Sequence, residues 1–170
     1  MQFVAALSFL LAAGAADAEP PCRSAAHGKA LDFWLGEWTV ASEDGATRFG
    51  ENRIERALDG CAVFEHWRGA SGGEGKSLFY FDARADRWEQ IWVTADTTRP
   101  GGLKRKLLVD FAGAGVRFQG ELKSEAGAPY LDRTTLTPLE DGRVRQLIEI
   151  STDDGATWKA TFDGYYAAAN

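Results

Sequence analysis

The chain has 170 residues and a net charge of −6, with 25 acidic against 19 basic side chains and no basic block. That length suits one domain, and that charge makes nucleic acid and anionic membrane surfaces poor partners. The two histidines and two cysteines form no His/Cys/carboxylate cluster at metal-ligand spacing, and no cofactor is expected.

The N-terminus reads as an export signal. Phe3 to Ala13 is apolar apart from Ser8, and Ala16-Asp17-Ala18 is a small-x-small cleavage site. The apolar run is too short to span a bilayer. Residues 1–18 are therefore expected to be a signal peptide, the protein periplasmic or secreted, and residues 19–170 one domain. Pro20-Pro21 separate the cleavage site from Cys22, so no lipid anchor is expected. An even cysteine count behind such a signal predicts a Cys22–Cys61 disulfide, tying the N-terminal arm to the third strand.

Leu31-Asp32-Phe33-Trp34-Leu35 is a short apolar turn that runs into Gly36-Glu37-Trp38. A turn of this kind plugs one end of a small barrel. Gly36 allows the sharp bend because it has no Cβ, and Trp38 packs onto the plug with its N–H free to find a partner.

From Gly36 onward, β-type runs recur every eight to twelve residues between turn signals. Ten strands are expected: Gly36–Glu43, Thr47–Leu58, Cys61–Ala70, Lys76–Asp82, Arg87–Thr94, Leu103–Phe111, Val116–Lys123, Tyr130–Pro138, Arg143–Ser151 and Thr157–Tyr166. A longer loop, Ala95–Gly102, contains Arg99-Pro100-Gly101-Gly102. Asp-Gly and Gly-rich connections favour hairpins between sequential neighbours. The simplest arrangement is an all-β, up-and-down antiparallel barrel, because closure removes exposed edges. Ser151-x-Asp153-x-Gly155-x-Thr157-Trp158 is an Asp-box hairpin, in which the Ser and Asp side chains satisfy backbone groups and the Trp packs beneath. Ser42-x-Asp44-Gly45-Ala46-Thr47 repeats that turn chemistry more weakly.

Period-2 alternation sorts the side chains into faces. Trp88, Gln90 and Trp92 share one face of the fifth strand, and Val63, Glu65 and Trp67 share one face of the third. Flat apolar walls around one amide suit a small-molecule pocket, or equally a packed core. Glu65 between apolar neighbours needs a partner; Arg56 and Arg145 are the candidates. The ninth strand places Arg145, Leu147, Glu149 and Ser151 together. Glu65, Trp67, Trp88, Gln90, Trp92, Arg145 and Glu149 are thus the expected ligand-binding set. Their polar members suit either a ligand's head group or a satisfied internal network. No nucleophile elbow, metalloprotease motif, phosphate loop or dinucleotide fingerprint occurs. A haem barrel needs a proximal His on a late strand, and none follows His66.

Phe33-Trp34-Leu35-Gly36-Glu37-Trp38 resembles the opening of a large bacterial family of secreted calycin-like (lipocalin-like) proteins. So do Asn52–Arg56 with Gly60-Cys61-Ala62, Glu65-x-Trp67, Arg87-Trp88-x-Gln90-x-Trp92-Val93, Arg143–Leu147, the Asp-box and Phe162-Asp163-Gly164-x-Tyr166. The resemblance spans residues 22–166. It departs at His66 and Thr94, where an amide and an acid are more usual. It implies a β-barrel and transfers no catalytic residue. The expected function is a binding protein for a small apolar or amphipathic molecule; an enzyme in such a barrel and an envelope interaction module are the alternatives.

Overall fold

The computed structural model describes residues 19–98 and 101–169. The expected signal peptide and the Arg99-Pro100 step of the long loop lie outside the described residues. Ten antiparallel strands form one closed barrel: β1 Gly36–Ala41, β2 Arg48–Ala57, β3 Ala62–Gly69, β4 Glu74–Asp82, β5 Arg87–Thr94, β6 Leu103–Asp110, β7 Val116–Lys123, β8 Pro129–Pro138, β9 Val144–Ser151 and β10 Lys159–Ala168. Each strand pairs with its sequence neighbours, and β10 closes on β1 with Trp38 opposite Ala168 and Val40 opposite Tyr166. Closure leaves no unpaired edge.

Strand bounds differ from the sequence expectation mainly at β10, which begins and ends two residues later. Thr157 and Trp158 are consumed by the Asp-box turn, and closure against β1 carries the strand on to Ala168. Cys61 sits one residue before β3, at the end of the turn Leu58–Gly60. Leu58 and Asp59 in that turn adopt left-handed backbone at φ 51° and 53°.

The N-terminal arm covers one end of the barrel. A helical turn, Pro21–Ser24, is tied down by the Cys22–Cys61 disulfide, whose Cα atoms lie 5.0 Å apart. A second turn, Asp32–Trp34, inserts Trp34, which is fully buried edge-on against Phe79 and Tyr166. Gly36 follows at φ 136°, a backbone angle that only glycine adopts readily. Trp38 then folds back, and its Nε1 donates to the Trp34 carbonyl at 2.9 Å. Leu31, Val40, Ile54, Val63, Phe79, Phe81, Trp88, Val116, Phe118, Leu136 and Val144 complete an apolar core in this half. Trp88 Nε1 donates to the His27 carbonyl at 2.9 Å, fastening the arm from inside the barrel.

A candidate ligand cavity in the open half of the barrel

The other half of the barrel is not filled. A cavity of about 350 Å³ is lined by Glu65, Trp67, Gln90, Trp92, Lys104, Lys106, Thr134, Gln146, Ile148, Thr161 and Phe162. Its floor side chains are buried, and Trp67, Trp92, Lys104, Thr161 and Phe162 form a partly exposed rim. Strand alternation places them inward, except on β10, where a register shift between Ala160 and Phe162 lets the consecutive Thr161 and Phe162 both border the cavity. The same alternation carries Val63, Phe79 and Trp88 into the packed half below.

Three glycines make room for the rim aromatics. A Cβ on Gly50 would lie 2.9 Å from the Trp67 ring, one on Gly75 would lie 2.1 Å from Trp92, and one on Gly164 would lie 2.5 Å from Phe162. Each ring therefore lies down on the barrel wall over a glycine, on the neighbouring strand for Trp67 and Trp92 and on its own strand for Phe162. Trp67 meets Phe162 edge-on, with centroids 6.3 Å apart.

The floor is a hydrogen-bonded layer between the rings and the apolar core. Ser77 Oγ donates to Glu65 Oε2 at 2.5 Å, and Asn52 Nδ2 donates to Glu65 Oε1 at 2.8 Å. Gln90 Nε2 donates to Ser77 Oγ at 3.1 Å. On the far side, Tyr166 Oη donates to Gln146 Oε1 at 2.8 Å. Lys106 Nζ bonds Asp132 Oδ1 and, at 2.6 Å, Thr134 Oγ1, while Lys104 Nζ reaches Asp132 Oδ2 at 2.7 Å. Among the described residues, two buried floor atoms have no hydrogen-bond partner: Gln90 Oε1 and Asn52 Oδ1.

Burial dominates the electrostatics. It raises the Glu65 carboxyl, against the opposing pull of Ser77, Asn52 and Lys106. It lowers the Lys106 ammonium to about 8, partly offset by Asp132 and reinforced by Lys104. It also pushes the Tyr166 phenol well up, so that group stays a donor.

The expected site residues separate into three groups. Glu65, Trp67, Gln90 and Trp92 meet around the cavity. Trp88 shares their strand face but lies below the floor, fully buried against Phe81 in the plugged half. Arg145 and Glu149 correct the expectation outright, because β9 turns the opposite face inward. Arg145 makes a two-pronged ion pair with Asp163 at 2.7 Å and lies 37% exposed; Glu149 pairs with Arg133 at 2.7 Å. Gln146 and Ile148 stand inside in their place. Nor does Arg56 serve Glu65. It lies two residues further along β2, opposite Val63, and there it pairs with Asp32 of the plug.

Of the structural residues, Ser151 Oγ accepts from Gly155 N at 2.8 Å, and Asp153 accepts from Thr157 N at 2.9 Å and Thr157 Oγ1 at 2.6 Å. Trp158 Nε1 donates to Gly155 O, and the Arg133 guanidinium stacks 3.8 Å above its ring. The hydrogen bonds from Thr157, then Ser151, hold the Asp153 carboxyl down at about 2.

Sequence reasoning missed Thr134, Gln146, Ile148, Thr161 and Phe162, and with them the lysines of β6. Its polarity is inverted: Lys104 and Lys106 point inward, while Leu103, Leu107 and Val109 face solvent. Two lysines at a two-residue spacing on a strand were the available indication. Hydrophobicity alone assigns such a strand the wrong inner face.

A second hollow, about 440 Å³, lies outside against β1–β4 and is larger than the interior cavity. Its polar side chains include His66, which bonds Glu55 and Lys76, and Arg68, which pairs with Glu74. Among the described residues, no group of three or more His, Cys, Asp or Glu side chains is placed to hold a metal ion. No helix there is long and apolar enough to cross a membrane. No family model and no curated protein matches this chain.

Proposed function

We propose that this protein is an exported, calycin-like binding protein that holds a small, partly apolar molecule in the open half of its barrel. One observation carries the reading. A cavity of about 350 Å³ combines an aromatic rim with a layer of buried polar side chains, and among the described residues the Oε1 of its lining residue Gln90 has no partner. Pockets for small molecules have that make-up: apolar walls and a few fixed polar groups. The plugged half explains how the void persists. The apolar core supplies the stability, so the upper half need not collapse. The disulfide and the signal-like N-terminus support an oxidising compartment.

Native mass spectrometry of protein purified from its own cell envelope tests this directly. A stoichiometric co-purifying small molecule, released by Trp67→Ala with Trp92→Ala, is the expected result. A protein that is always empty, and whose indole fluorescence no apolar compound perturbs, rules the reading out.

The floor also favours a second reading. A carboxyl whose pKa burial raises and an amine with a lowered pKa face one cavity, an arrangement suited to acid–base chemistry on a bound molecule. Turnover of the co-purified molecule, abolished by Glu65→Gln, distinguishes an enzyme from a carrier.

A further inference from the structure

The polar floor specifies the head group of the ligand, on the premise that the cavity binds a small molecule at all. Lys104 and Lys106 both reach the cavity, and both share a single carboxylate, that of Asp132. Two cations on one anion leave an excess positive charge at the floor. Lys106 has three N–H donors, and Asp132 and Thr134 account for two. Gln146 spends its oxygen on Tyr166, which leaves its amide nitrogen facing the void.

The remaining floor groups are Glu65 and Gln90. Gln90 is 6% exposed, and its Oε1 has no donor while Ser77 gives its proton to Glu65. The orphan is resolved when Glu65 carries a proton. Glu65 then donates to Ser77, Ser77 donates to Gln90 Oε1 after a half-turn of the amide, and Gln90 Nε2 turns into the void. Burial favours that neutral Glu65. In this state the floor offers the ligand donors from Lys106, Gln90 and Gln146, and no carboxylate opposes an incoming negative charge.

We infer that the cavity selects amphipathic monocarboxylates, with the carboxylate on Lys106, Gln90 and Gln146 and the apolar body between Trp67, Trp92, Ile148 and Phe162. The other titratable groups facing this head are Lys104, which adds attraction, Asp132, which the lysines neutralise, and the phenol of Tyr166, which stays protonated.

Matched probes test the inference on the whole folded protein: phenyl, naphthyl and octyl bodies, each carried on a carboxylate, the corresponding alcohol and the corresponding primary amine. Affinities come from indole fluorescence and calorimetry. For at least one body the carboxylate is expected to bind about tenfold or more tighter than its alcohol and amine, as one charged hydrogen bond provides. Lys106→Met should remove that preference. Lys104→Met, at a partly exposed rim position, should reduce it even if the Lys106 variant fails to fold. Glu65→Gln should keep it. Equal binding of acid and alcohol, or preference for the amine, overturns the head-group inference and leaves the cavity reading standing. No binding by any member overturns both.

Discussion

The two halves of this barrel are built from the same strands and do opposite things. Below the floor, Trp34, Trp38, Phe79, Trp88 and Tyr166 interlock, and the N-terminal arm seals the end through a disulfide and the Trp88–His27 bond. Above it, Trp67, Trp92 and Phe162 lie flat against glycines and leave a void. The aromatic side chains are of one kind in both halves. What differs is the seat of each ring: a filled apolar core below, a bare glycine backbone above, where Trp67 and Phe162 also touch edge-on. Stability is concentrated in one half so that the other can stay open.

The contrast is broken most severely from below. Trp38→Ala removes a nearly buried ring and its hydrogen bond to the plug, and should cost about 3–5 kcal/mol in denaturant melts. Trp92→Ala, at the rim, should cost far less while abolishing ligand binding. Equal losses at the two positions would show that the halves share the load.

Next in size is the disulfide. Cys22 and Cys61 close a loop of sequence separation 39. Replacing both with serine should destabilise the barrel by about 2–4 kcal/mol and free the arm, which protease sensitivity near residues 22–30 would report.

Gly75→Ala sharpens the comparison from above. The new methyl would stand 2.1 Å from the Trp92 ring, so the ring must leave the wall. A cost of about 1–3 kcal/mol is expected, with a changed indole emission. An alanine tolerated with unchanged emission would mean that the ring does not lie on Gly75.

The smallest effect concerns pH. Glu65 has its carboxyl raised above the ordinary value of 4.5 by burial. Between that value and the raised one, the folded protein holds a proton that the unfolded chain has lost. Stability should therefore decline as pH rises through this window. Glu65→Gln should flatten that decline, as read from urea melts across pH. An unaltered slope would place Glu65 in contact with water.

Much of the scaffold was legible from the residues. Turn chemistry at Ser42–Thr47 and Ser151–Thr157 marks two hairpins, and the β-type runs mark ten strands; β5 and β7 match the structure end to end. The paired cysteines and the Gly36 bend are likewise local or countable features. The lining of the candidate cavity was legible only where a strand carried large aromatics on one face, as at Trp67 and Trp92. Strands whose two faces look alike were misread, as at β9, or offered no candidate, as at β6. On β9, Arg145 and Glu149 are as plausible inside as Gln146 and Ile148 until neighbours are known, and on β6 the leucines argue for the wrong face.

Alternation along a strand is a property of the sequence, and it divides side chains into two sets without further help. Which set faces inward, and at what height in the barrel, is decided by the neighbouring strands and their register. Trp88 and Trp92 stand on one face of one strand, yet one packs in the core and the other borders a void. Arm, plug and opposing glycines determine that outcome, and all of them come from distant parts of the chain. The sequence by itself therefore determined strands, turns, disulfide and barrel. Tertiary structure alone decided that the barrel is hollow at one end, and that Lys106 stands in its floor with Lys104 at the rim.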